Sequence, residues 1–120
     1  MRKILVSLTA VMSLMLLVDD TATGQERCFA KYRFRWGQQV QGSIGARVGT
    51  ACRVPINSRL GPITSAQVVQ QPSSGAASIE SSNGVVYRPN PGFRGSDSMT
   101  VLYRGRGARQ ATVTFAISVN

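Results

Sequence analysis

Gly84-Val-Val-Tyr-Arg-Pro-Asn-Pro-Gly-Phe-Arg-Gly-Ser-Asp-Ser-Met-Thr-Val-Leu-Tyr103 is the stretch whose reading decides the fold. Val85 and Tyr87 alternate with Val86 and Arg88 at a period of two, the spacing of a strand with one buried face. Pro89 to Gly95 supplies a corner, since Pro89 and Pro91 restrict the backbone while Gly92 and Gly95 free it. Met99, Val101 and Tyr103 then resume the alternation. The pattern is strand, corner, strand.

Outward from this stretch, the same period recurs. Ala111, Val113, Phe115, Ile117 and Val119 alternate with Thr112, Thr114, Ala116 and Ser118, the clearest strand in the chain. Arg104-Gly-Arg-Gly-Ala-Arg109 lies between it and Tyr103 and reads as a flexible cationic hairpin loop. Upstream, a short strand at Ala76–Glu80 is joined through Ser81-Ser-Asn-Gly84 as a tight hairpin, with Asn-Gly favouring positive backbone angles. Ile63–Gln71 reads as a strand whose inward face stays open, because Ala66 and Val68 compete with Ile63 and Val69. Cys52, Val54 and Ile56 point inward, Pro55 marks an edge or strand end, and residues 57 to 62 read as a turn. Gly37, Gly42, Gly45 and Gly49 cut the preceding segment into short strands or loops. In Ala30–Trp36, Ala30, Tyr32, Phe34 and Trp36 occupy one face of a strand and Lys31, Arg33 and Arg35 the other. Short strands separated by turns, with no helix after the first two dozen residues, argue for a two-layer sandwich.

Tyr87-x-Pro89-x-x-x-Phe93-x-Gly95-x-Asp97 resembles the corner signature of bacterial immunoglobulin-like and cadherin-like repeat domains of secreted and surface proteins. The likeness runs from about Val68 to Val119 and includes Val68-x-x-x-Pro72-x-x-Gly75. It implies an all-β, immunoglobulin-like antiparallel β-sandwich of about seven strands, in domains that bind or space more often than they catalyse. At the corner, Phe93 would act as a plug and Asp97 would accept hydrogen bonds from backbone donors. The chain departs from the family pattern in carrying Met99 and Val101 where aromatics are usual. It has no cysteine near Tyr103, where antibody domains join their sheets. The acidic clusters of calcium-binding cadherin repeats are absent, so no metal is expected. The domain is a single copy, which removes the simplest spacer role and leaves function by contact.

The start of the chain points to export. Arg2 and Lys3 precede an apolar run from Ile4 to Val18, and Ala22-Thr-Gly24 offers a cleavage site before Gln25. The run falls short of the roughly 20 residues needed to span a bilayer, so residues 1–24 read as a signal peptide and 25–120 as one domain. No transmembrane span is expected in the processed chain, which would be periplasmic or secreted. An oxidising compartment favours pairing of Cys28 with Cys52, the two cysteines of the chain. The staple would join the N-terminal strand to the strand carrying Cys52 and contribute about 3 kcal/mol.

The chain carries a formal charge of +9, and the leader removes two cations and two anions, so the whole imbalance belongs to the domain. After the leader the acids are Glu26, Glu80 and Asp97, and Lys31 is the one lysine among arginines. No histidine is present, which removes the commonest general base and zinc ligand. No serine has an activated context, and paired carboxylates would have to be drawn from three scattered acids. The expectation is therefore a non-catalytic protein with no cofactor. Its candidate binding residues are Arg33 and Arg35 on the first strand and Arg104, Arg106 and Arg109 in the loop. Their guanidinium groups suit phosphate or carboxylate oxygens, so envelope polysaccharide, lipid headgroup or an acidic protein is the expected partner. Export argues against nucleic acid. The alternative is a structural or inhibitory protein recognised through a sheet edge and loops, with arginines serving only solubility.

Overall fold

The computed structural model describes residues 26–55, 61–81 and 83–120. The expected signal peptide and cleavage site lie outside the described residues, as do Ile56 and most of the turn expected after it. Strands β1 (Glu26–Arg27), β2 (Phe29–Tyr32), β3 (Gln39–Ala46), β4 (Cys52–Val54), β5 (Ser65–Gln70), β6 (Gly75–Ile79), β7 (Val85–Pro89), β8 (Gly95–Arg104) and β9 (Gln110–Val119) follow in order. One sheet has the order β1-β4-β7-β6 and the other β2-β3-β9-β8-β5. The result is an all-β sandwich.

Alternation produces the two layers. Along β9, Ala111, Val113, Phe115, Ile117 and Val119 are buried, and on β8 Met99, Val101 and Tyr103 face the same interior. From the other sheet Val54, Val85 and Tyr87 meet them, each without measurable exposure. Burial of such side chains stabilises by roughly 1.5–3 kcal/mol each. On β5 the open choice resolves in favour of Ala66 and Val68, which pack on the core, while Val69 is an exposed bulge residue.

The N-terminal segment departs from expectation. It divides at Cys28, with β1 pairing parallel to β4 in one sheet and β2 antiparallel to β3 in the other. The division adds one segment, and the described residues hold nine strand segments where about seven were expected. The Cys28–Cys52 disulfide sits at this crossing, with both cysteines buried and Cα atoms 5.1 Å apart. The sheets are mostly antiparallel, with β1–β4 and β3–β9 as parallel pairs. The glycine-punctuated stretch is one eight-residue strand, β3. Gly42 does not interrupt it but makes room: a β-carbon there would stand 2.9 Å from both the Phe115 ring and Tyr32 Cβ. The strand expected over Ala30–Trp36 stops at Tyr32, so Arg33 and Arg35 lie past its end, though exposure still alternates through Trp36.

Candidate functional site

Strand β8 carries a different chemistry at each end. At its start, Asp97 is buried and accepts five hydrogen bonds. Its Oδ1 takes the backbone N–H of Ser73 and of Ser98, each at 2.9 Å, and the Ser73 hydroxyl. Its Oδ2 takes the Ser74 N–H at 3.0 Å and the Tyr87 hydroxyl at 2.9 Å. Burial works to raise the carboxyl pKa, but the donors from Ser98, Tyr87, Ser74 and Ser73 outweigh it and leave the pKa below the usual value. The Tyr87 phenol is pushed well up by burial and by its bond to Asp97. The corner between β7 and β8 closes through Phe93 N–H to Asn90 O at 3.0 Å, with Gly92 at φ 78°, as expected where Pro91-Gly92 fills the centre of the turn. Pro89 is buried, and Phe93 packs half-buried beside Gly95, which stands at φ 135°. Tyr87, Pro89, Phe93, Gly95 and Asp97 thus form one structural unit, with Asp97 bound to backbone donors as the sequence implies.

At the other end of β8, the segment that follows Arg33 and Arg35 meets the loop that carries Arg104, Arg106 and Arg109. Gly37 turns the chain at φ 77°, and its N–H donates to Gln110 O at 2.6 Å, while Thr112 N–H donates to Gln38 O at 3.1 Å. These bonds hold residues 36–38 against the start of β9. The Trp36 indole then lies on Gly105, where a β-carbon would come within 2.6 Å of Trp36 Cη2. Gly105 is buried beneath it. The loop between β8 and β9 is braced: Gly105 N–H donates to Arg109 O, and Thr64 N–H donates to Arg104 O at 2.8 Å. The Thr64 hydroxyl adds a bond to Arg104 O or Gly105 O. The expected loose loop is therefore a fixed platform.

A row of edge-to-face rings supports it from below. Trp36 meets Phe34 at 4.8 Å between centroids, and Phe34 meets Tyr103 at 5.4 Å. Tyr103 is buried, and its hydroxyl has no hydrogen-bond partner among the described residues. Burial, with Tyr32 adding to it, pushes that phenol well up. Tyr32 ties the layers together here by donating its hydroxyl to Pro55 O at 3.0 Å. Arg33, Arg35, Arg104, Arg106 and Arg109 all stay exposed around this support. Arg109 runs beside Gly61, with Nη1 3.5 Å from where a Gly61 β-carbon would stand. The nearby acid, Glu80, pairs with Arg53 at 3.3 Å.

The structure thus joins two segments, one carrying Arg33 and Arg35 and reaching the loop through Trp36, the other the loop of Arg104, Arg106 and Arg109 itself. Pattern reading missed the Trp36–Gly105 contact and the Thr64 brace that join them. Among the described residues no group of three or more histidine, cysteine or carboxylate side chains gathers as a metal site. No protein-family model and no curated protein sequence matches this chain.

Proposed function

We propose that this chain is an exported, non-catalytic binding module of immunoglobulin-like type that holds an anionic partner at its arginine end. The observation that carries the reading is the seating of Trp36 on Gly105, which with the bonds of Gly37 and Gln38 holds residues 36–38 beside the loop and the start of β9. Arg104 and Arg106 are exposed on a loop whose backbone is braced, and Arg33 and Arg35 are exposed on the segment leading to Trp36, so little backbone order must be created on binding. Clustered cations attract polyanions, and arginine forks suit paired oxygens of carboxylate, sulfate or phosphate. The two-sheet sandwich and the Tyr87–Asp97 corner support the immunoglobulin-like reading. The disulfide fits an oxidising compartment, and the leader-like start extends this to periplasm or medium.

The test is retention of the oxidised protein on envelope fractions across a salt series. The comparison protein carries Arg104→Gln, Arg106→Gln and Arg109→Gln together. Retention of the native protein falls steeply as ionic strength rises, and the variant shows a flattened dependence with an unchanged melting temperature. Equal retention of both proteins at every salt concentration would remove the loop from the mechanism.

A further inference from the structure

Among the described residues, β1 and β6 form the edges of one sheet and β2 and β5 those of the other. An edge strand presents unpaired N–H and C=O groups, and native chains protect them by shortness, charge or cover. β1 is two residues long. β2 carries Lys31 and leads directly into Arg33 and Arg35. β6 has no charge, but the Gln71 carboxamide stands against its outer side. Ala77 N–H donates to Gln71 Oε1 at 2.9 Å, and Gln71 Nε2 donates to Ala77 O at 3.0 Å. One side chain thereby reproduces the paired bonds of a neighbouring strand.

β5 lacks these devices along most of its length. Ser65-Ala-Gln-Val-Val-Gln70 contains neither charge nor proline. The other wholly uncharged strands without such a cover, β3 and β9, are interior strands. β5 therefore has an interior composition at an edge position. The bulge between Val68 and Gln70 ends regular pairing on that side and leaves Val69 49 % exposed. Ser65 to Val68 remains as a regular run whose outer side has no paired strand among the described residues.

Charge decides what fits there. Ser65 is in register with Arg104, both exposed, and Arg106 lies just beyond. A second copy would bring another strongly cationic domain to the same edge, whereas carboxylates would be attracted. We propose that β5 accepts an added strand from a partner protein: an extended, uncharged segment pairing with Ser65–Val68, with acidic residues at the end beside Arg104. Main-chain bonds would supply the affinity and the carboxylates the direction. The arginine contact rests on the function proposed above, while the backbone pairing stands without it.

The probes are synthetic Val-Thr-Val-Thr peptides bearing a run of glutamates at one end or the other, with lysines replacing glutamates in controls. Hydrogen exchange on the oxidised protein should show amides of residues 65–68 slowed at least about tenfold by one glutamate peptide. Gln67→Pro should weaken binding at least about tenfold by obstructing the edge. Arg104→Gln should weaken only the glutamate peptide, leaving the position of the protected amides unchanged. If the proline variant does not fold, the exchange pattern of the native protein decides. Absence of protection at 65–68 with millimolar peptide overturns the edge site. Protection that maps instead to β2 or β6, or sedimentation showing a dimer joined through β5, overturns it too. Equal binding of lysine and glutamate peptides overturns the acidic end alone. Loss of loop-dependent envelope binding with intact edge protection would overturn the earlier reading and leave this one standing.

Discussion

The two ends of β8 handle charge in opposite ways. At Asp97 one carboxylate is surrounded by donors from four residues, so its charge is consumed by the fold. At Arg104 the neighbouring cations stay exposed, and no described carboxylate accepts from Arg33, Arg35, Arg104 or Arg106. A carboxylate wrapped in backbone N–H groups fixes where the chain turns. Arg33, Arg35, Arg104 and Arg106, exposed on either side of the Trp36–Gly105 contact, leave their donors to outside acceptors. The difference separates residues that serve stability from residues available for contact, although both groups are polar and both lie beside turns.

The largest effect that would break the comparison lies at the corner. Tyr87→Ala removes a fully buried ring and a donor to Asp97, and should cost at least about 3–5 kcal/mol by chemical denaturation. An unchanged midpoint would mean the corner is not structural. Replacing Cys28 and Cys52 together by alanine should cost about 3 kcal/mol, and the native protein should take up thiol reagent only after reduction. Gly105→Ala should cost about 1–3 kcal/mol because Trp36 must move, and it should also reduce the salt dependence of envelope binding. Loss of stability without that change would detach Trp36 from the site. Neutralising the three loop arginines should alter stability by no more than about 0.5 kcal/mol while changing binding, the reverse of the corner variants.

Titration sharpens the same contrast. Asp97 has a lowered pKa in the folded state, so its contribution is complete above the unfolded value near 4 and fades as pH falls below it. Tyr87 and Tyr103 have raised values, so their contribution is present below about pH 10 and fades as pH rises beyond it. Denaturation midpoints measured from pH 2 to 5 should therefore fall in the native protein and fall less in Asp97→Asn, which starts from lower stability.

β8 and β9 were legible because period-two alternation is a direct image of one buried face, whereas β7 buries Val86 as well as Val85 and Tyr87. β9 follows from residue types alone, whereas the backbone-accepting role of Asp97 was implied by the resemblance and its bond to the Tyr87 hydroxyl was not read from the sequence. β3 was obscured because Gly42 and Gly45 read locally as breaks, whereas Gly42 answers to Phe115, distant in sequence but adjacent across β3 and β9. The inward face of β5 depended on a bulge, which alternation cannot register. At the arginine end the cations were visible, but the joining of the two segments that carry them was not, since it depends on a tryptophan resting on a glycine from another loop. Local pattern reports the face a residue takes and is silent about what covers it.

The disulfide at the crossing of the two sheets has a mechanical consequence. A pull on the N-terminal end can peel only β1 before tension reaches Cys28, which passes it through sulfur to Cys52. The 24-residue separation between them then contributes nothing to extension, a hidden length on the order of 80 Å at strand-like rise. Under load the oxidised domain should yield from β4 onward, and reduction should release that slack as added contour length.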